Sequence, residues 1–292
     1  MGVCQTLRRA LRSGEPVVAP LCYDPLTSKL VEHLGFPAAY LGGGALGFVL
    51  NVTEAMMTLT ELVTVLRQIT MKTSMPIIVD GTTGFGEPLH VMRTVHEVER
   101  CGGAGIEIED QLVPKRAHHH KGVEHLIPSE AMADKVRAAV EAREDPDFLI
   151  IARTNAVRQV SFAEAVKRGN AYVEAGADMI MAFPSTPEEA RQLPKEMHKP
   201  VVYMLSTVGE RPPFTPQELY AMGYPLIIEA QGGLMMAYGA MRKAYLELKE
   251  RGSIACDPAE IRMIRDEINE LVDLPKYWKL EARTVEKNRP EG

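Results

Sequence analysis

The chain has 292 residues, 46% of them hydrophobic, enough apolar material for one large domain or two ordinary ones. Its 33 basic residues stand against 39 acidic ones, a net charge of −6 with no basic block. That balance argues against nucleic acid or an anionic membrane surface as the main partner, and no apolar run approaches the ~18 residues of a membrane span.

The opening MGVCQTLRRALRSGEP lacks the continuous apolar region of a signal peptide. It matches the M-G-x-x-x-[ST] myristoylation pattern, but LRRALRSG reads equally well as a short amphipathic helix closed by Gly14. From there one phrase recurs: a helix end, a glycine, two or three residues, then a short apolar run. It occurs as HLGFPAAYLGG, RCGGAGIEIED, EAGADMIMAF and AMGYPLIIEA, and alternates with EPVVAPLCYD, MPIIVDG, DPDFLIIARTN and KPVVYMLS. The runs predict eight strands near residues 16–22, 38–42, 76–80, 105–109, 148–153, 178–183, 200–205 and 225–229. Continuous rather than alternating apolar character suits parallel strands covered on both faces. Helical patterns follow the strands, several opening on a Ser/Thr…Glu spacing and stopping at glycine. Eight β-then-α units predict an α/β chain folded as a (β/α)8 barrel over residues 1–252; a doubly wound open sheet is the alternative. Residues 253–292 form a C-terminal helical extension with helical spacing at Ile261, Ile264, Ile268 and Leu271. The barrel does not need it, so it packs on another subunit or caps its own barrel. Cys4, Cys22, Cys101 and Cys256 lie far apart without CxxC or zinc-finger spacing, which suits reduced thiols in a cytoplasmic protein.

Catalytic groups in such barrels sit at the C-terminal ends of the strands. In order these ends carry Tyr23 and Asp24; Gly42, Gly43 and Gly44; Asp80; Glu107 and Glu109 with Asp110 beyond; Arg153; Phe183; Tyr203; then Glu229 and Gln231. Oxygen-only ligands suit Mg²⁺ or Mn²⁺, and a rigid arginine suits a substrate carboxylate or phosphonate. The structural alternatives are a rim salt bridge or helix cap for Asp80, and an ion pair with Glu107 or Glu109 for Arg153. GGGALG fits G-x-G-x-x-G, but no acidic-ended second strand follows as a dinucleotide site requires; it reads as a loop whose amides approach a small anion. KRAHHHKG, residues 115–122, lacks zinc spacing and reads as a solvated loop, from which one histidine serves as a general acid on closure.

YLGGG, VDGTTGFG, IEIEDQLVPKRAHHHKG and DPDFLIIARTNA resemble the isocitrate lyase / phosphoenolpyruvate mutase superfamily over nearly the whole chain. The likeness is to its short members: 2-methylisocitrate and dimethylmalate lyases, oxaloacetate decarboxylases and carboxyphosphonoenolpyruvate mutases. The resemblance implies a Mg²⁺-dependent barrel, a homotetramer that exchanges its C-terminal helix between subunits, and a small anionic carboxylic acid as substrate. It makes Asp80 the direct metal ligand, Glu109 the holder of a metal-bound water and Arg153 the substrate grip. Tyr40, Gly42, Gly43 and Gly44 then wrap the 2-oxo-acid end, with Phe183, Tyr203 and Gln231 as further lining. Four positions depart from the family pattern. Thr82 replaces the second acid of D-x-D, Ala117 replaces the lyase cysteine, Phe183 a glutamate and Tyr203 an asparagine. The implied activity is carbon–carbon lysis or decarboxylation through a metal-stabilised enolate, with Asp80, Arg153 and a histidine (His118, His119 or His120) catalytic. Phosphonate P–C chemistry and a barrel that binds a metabolite without turnover are the alternatives.

Overall fold

The structure, a computed structural model, describes residues 2–206 and 213–287. Met1 of the myristoylation pattern and the last five residues of the expected extension fall outside them. Eight parallel strands carry the fold: β1 Val17–Ala19, β2 Ala39–Leu41, β3 Ile77–Asp80, β4 Gly105–Glu109, β5 Leu149–Arg153, β6 Met179–Met181, β7 Val201–Met204 and β8 Leu226–Ile228. Each pairs in parallel with its neighbour from β2 round to β8, and β8 pairs with β1. The remaining gap, between β1 and β2, closes through a parallel bridge of Leu21 with Tyr40. Tyr40 N donates to Pro20 O at 2.8 Å, and Cys22 N to Tyr40 O at 2.9 Å. The sheet is therefore the predicted barrel, not an open one.

The helices, in chain order, are α1 Val3–Leu11, α2 Pro25–His33, α3 Gly43–Val49, α4 Leu59–Thr70, α5 Pro88–Arg100 and α6 Ser129–Ala142. There follow α7 Ala156–Gln159, α8 Phe162–Glu174, α9 Pro187–Glu196, α10 Pro216–Met222, α11 Gly232–Arg251, α12 Pro258–Leu271 and α13 Leu274–Arg283. The Thr…Glu spacings mark real starts. Thr58, Thr186 and Thr215 form capping boxes with Glu61, Glu189 and Glu218, each satisfying two backbone donors that the first turn leaves unpaired.

Alternation along the strands builds two cores. Ile77, Val79, Ile106, Ile108 and Ile150 face the helices, while Ile78, Leu149, Ile151, Met179, Met181 and Val202 fill the lumen. Helix α1 closes the lumen's lower end. Leu7 is fully buried among the lumen residues, and Arg8 ties the helix to Asp147 O at 3.0 Å and to Asp178 at 2.9 Å. By internal contacts the chain divides into two compact units, Met1–Leu234 and Met235–Gly292. Within the second, α12 packs on α13. No helix among the described residues is long and apolar enough to cross a membrane.

Candidate active site

The lumen-facing register of β3, β4 and β5 ends on charge, and that builds the site. Asp80 sits two residues above Ile78, Glu107 and Glu109 above Gly105, and Arg153 above Ile151, so all four share the barrel mouth. Asp80 Oδ2 accepts from Gly43 N at 3.0 Å and its Oδ1 from Thr82 N at 2.8 Å. It thus helps cap α3, one of the two structural alternatives, and among the described residues it has no ion pair. Burial first, then the charges of Glu107 and Glu54, push its carboxyl up to about 7. Thr82 itself lies in the left-handed region at φ +50°, which a β-branched residue adopts only under strain.

Arg153 makes the ion pair that its structural alternative required. Its Nη1 donates to Glu107 Oε1 at 2.9 Å, Nη2 and Nε to Asn155 Oδ1 at 3.2 and 3.3 Å, and Nη2 lies 3.3 Å from Glu109. The other Glu107 oxygen accepts from the wholly buried Tyr40 hydroxyl at 2.8 Å. Glu109 also accepts from Gln111 at 2.8 Å and Asn155 at 2.9 Å. Burial works to raise the Glu109 carboxyl, but Arg153 and Lys115 outweigh it and hold it well below the usual range. Behind them Asp110 is structural: it accepts from Thr154, Tyr172 and Arg168 and from the backbone of Asn155, which fixes the end of β5.

The histidine loop is only partly solvated, contrary to expectation. Residues Ala117–Lys121 form a 3₁₀ turn, and the loop's base is closed by an antiparallel bridge of Gln111 with Leu126. Lys115 reaches inward and pairs with both Glu54 and Glu109, its side chain 5% exposed against their 7% and 1%. His119 also turns in: Nε2 lies 3.3 Å from Glu54 Oε2, and Nδ1 is 2.7 Å from Arg116 O. Burial works to lower the imidazole's pKa, yet the contacts to Glu54 and Arg116 O outweigh it and raise it. His118 and His120, the other two candidate acids, stay exposed; His120 meets Thr53 at 3.0 Å and stacks on Phe48. The difference in placement has a simple cause: a tight turn points three consecutive side chains three ways, and the buried carboxylate of Glu54 meets the middle one.

Tyr203 is a correction. Alternation in β7 sends Val202 into the lumen and Tyr203 outward, where its ring meets Tyr224 edge-on at 5.1 Å, so it does not line the mouth. Phe183 does belong to the lumen cluster. Asp24 and Glu229 are helix starts instead, capping α2 and bonding the first amides of α11. Gln231 comes close to Gly44, its Nε2 3.5 Å from where a Cβ there would stand. The glycines are needed for packing. A Cβ at Gly43 would meet Glu54, Thr82 and Asp80 at 3.1–3.2 Å, and one at Gly47 would strike Glu54 N at 2.9 Å.

Sequence reasoning passed over Glu54, Lys115 and Asn155. Asn155 was readable, two places beyond Arg153 in ARTNA. Glu54 opens a one-turn 3₁₀ helix, Glu54–Met56, and Lys115 lies on an irregular segment, and neither carried a periodic signal. Together the mouth holds four buried carboxylates against two permanent cations. Among the described residues no three His, Cys, Asp or Glu side chains form a complete ligand cage. An excess of negative charge with one or two oxygen donors fits a hard divalent cation that keeps its waters, and Asp80, held by two backbone amides, is the carboxylate placed to meet one.

Comparison with known proteins agrees. The family model described as phosphoenolpyruvate phosphomutase matches residues 7–249. The chain is 36% identical to the 2-methylisocitrate lyase of Aeropyrum pernix, covering 96% of this chain and 91% of that one. It is 35% identical to the 2,3-dimethylmalate lyase of Eubacterium barkeri, covering 96% and 98%. It superposes on a phosphonopyruvate hydrolase solved with oxalate and Mg²⁺ at a TM-score of 0.84, 30% identical over 98% of this chain and 100% of the other. A closed eight-stranded barrel with acids and one arginine at its mouth, matched along almost its whole length, makes the chain a member of the phosphoenolpyruvate mutase / isocitrate lyase family.

Proposed function

We propose that the chain is a carbon–carbon lyase or decarboxylase for a small 2-oxo or 2-hydroxy carboxylic acid, with Mg²⁺ or Mn²⁺ held by Asp80 directly and by Glu109 through water. The observation that carries this is Asp80, a buried strand-end acid without a cation in a family whose named relatives include carbon–carbon lyases. The bound cation would supply Lewis-acid stabilisation for negative charge developing on the substrate oxygen. The protein's own groups do the rest. Arg153 is fixed by Glu107 and Asn155 before substrate arrives, so its plane is set for a carboxylate. Lys115 and His119 draw the loop over the mouth and exclude water. Held against Glu54, His119 carries the proton that Ala117 cannot supply. Turnover of oxaloacetate, 2-methylisocitrate and phosphonopyruvate, with and without EDTA, tests the reading; equal turnover under chelation would overturn it. The missing thiol at Ala117 favours one second reading, P–C bond chemistry, which the phosphonopyruvate arm decides.

Two properties of the metal site follow. A cation must displace the proton that Asp80 holds below about 7. Affinity for Mn²⁺ is therefore full above that pH and falls about tenfold per unit below it; calorimetric titration from pH 5.5 to 8.5 checks this, and a flat profile contradicts it. Restoring an acid by Thr82→Asp adds a donor charge and relieves the strained φ, since Asp tolerates the left-handed region. Mn²⁺ should bind on the order of tenfold more tightly.

The C-terminal unit is proposed to pack against a second copy of this chain, in a homotetramer with exchanged helices. Ile261, Ile264, Ile268, Tyr277 and Trp278 are all exposed on α12 and α13, more apolar surface than a single chain leaves to water. Ile264→Asp should lower the mass measured by light scattering towards that of one chain; an unchanged mass would reject the assignment.

A further inference from the structure

Phe183 lies two residues beyond Met181 at the end of β6, in the lumen cluster, and is 2% exposed. The guanidinium carbon of Arg153 lies over the Phe183 ring at 4.6 Å, and that of Arg158 at 4.9 Å. Each arginine has its own carboxylate. Arg153 pairs with Glu107 on the barrel wall, and Arg158 Nη2 with Glu124 Oε1 at 2.5 Å on the histidine loop. Gln159 completes a clasp there, donating to Glu124 Oε2 at 3.0 Å and to Gly122 O at 2.8 Å. A continuous chain of contacts thus runs Glu107–Arg153–Phe183–Arg158–Glu124, from the lumen to the loop.

Two guanidinium groups this close repel each other. An aromatic face attracts both and orients both planes. An aliphatic side chain would leave Arg153 to Glu107 and Asn155 alone and Arg158 to Glu124, with no shared face between the two guanidinium groups. We infer that Phe183 is a positioning residue for Arg153, coupling that guanidinium to the Glu124 clasp that fastens the histidine loop. The inference rests on the proposed function only in taking Arg153 as the substrate's anchor.

The test uses the full chain, with Phe183→Leu, Phe183→Tyr, Glu124→Gln and the Leu/Gln double variant. Two readings are taken: the rate of tryptic cleavage at the exposed Arg116 and Lys121 under native conditions, which follows how often the loop opens, and the affinity for oxalate with Mn²⁺. Phe183→Leu should speed cleavage about fivefold and weaken oxalate about fivefold, from the loss of a cation–π contact. Phe183→Tyr should restore both. Glu124→Gln changes no lumen side chain, and loss of its negative charge near Arg153 would by itself favour an anion, yet it should weaken oxalate by releasing the clasp, and the double variant should be less than multiplicative. Unchanged cleavage, independent effects in the double variant, or no effect of Glu124→Gln on oxalate would each overturn the coupling. Should Phe183→Leu not fold, Glu124→Gln alone decides. Failure of the proposed function shows separately, as wild-type protein that binds no oxalate while the cleavage arm still reads the clasp.

Discussion

Replacing Asp80 by Asn is expected to lower kcat about a thousandfold or more on whichever acid the enzyme takes, while the protein melts at the same temperature or higher. Amide and carboxylate have the same shape, but the amide keeps one accepting oxygen, so one of the contacts from Gly43 N and Thr82 N survives and the other is lost, at a cost of about 1 kcal/mol that removal of the buried charge offsets. What disappears is the charge. Asp80 titrates at about 7 in the fold against an ordinary 3.8, so its contribution to stability is full at low pH and is lost as pH rises through 7. At pH 8 the wild-type protein bears the cost of a buried anion beside Glu107 and Glu54, and the Asn variant does not. Loss of activity coupled to a held or raised Tm is the signature of a functional acid; loss of both would mark Asp80 as structural.

Lys115→Met should have the opposite profile, a large loss of stability. Lys115 is the cation shared by Glu54 and Glu109, all three almost wholly buried. Burial works to lower its pKa, but Glu109 and Glu54 outweigh it and raise it, so the group is charged at any working pH. Removing one member of such a set leaves carboxylates uncompensated, at a cost of about 3 kcal/mol. In a chain of this size that lowers Tm by about 6–12 °C. Glu109 keeps Arg153 and Glu54 keeps His119, which is why the loss is not larger. Adding Glu54→Gln to the variant should recover part of the loss, and denaturant melts of the single and double variants measure it. A Met variant as stable as wild type would mean that Lys115 is dispensable to the anionic cluster.

The contrast between these residues shows what a sequence can and cannot disclose. Asp80, Glu109 and Arg153 were legible because a parallel strand is a ruler: each stands at the end of an apolar run, and the barrel brings every such end to one rim. Tyr203 shows how fine the ruler must be. It too ends an apolar run, but one residue of register separates the lumen from the helix layer. Glu54 and Lys115 are 61 positions apart, one on a single 3₁₀ turn and the other on an irregular loop, and they meet across the mouth. Such meetings have no period, and nothing in NVTEAMM or VPKRAHHH announces them. His119 falls between these cases: the cluster was visible, but which ring turned inward depended on Glu54.

Helix α1, with Leu7 wedged among the lumen residues, turns the barrel into a blind well. A vessel with one opening imposes a queue. Of two fragments cut from a single acid at the mouth, the one nearer Tyr40 is expected to leave after the shallower one, and both past the His119 turn. Product-inhibition patterns would register this as ordered release, whereas random release would point to a second exit.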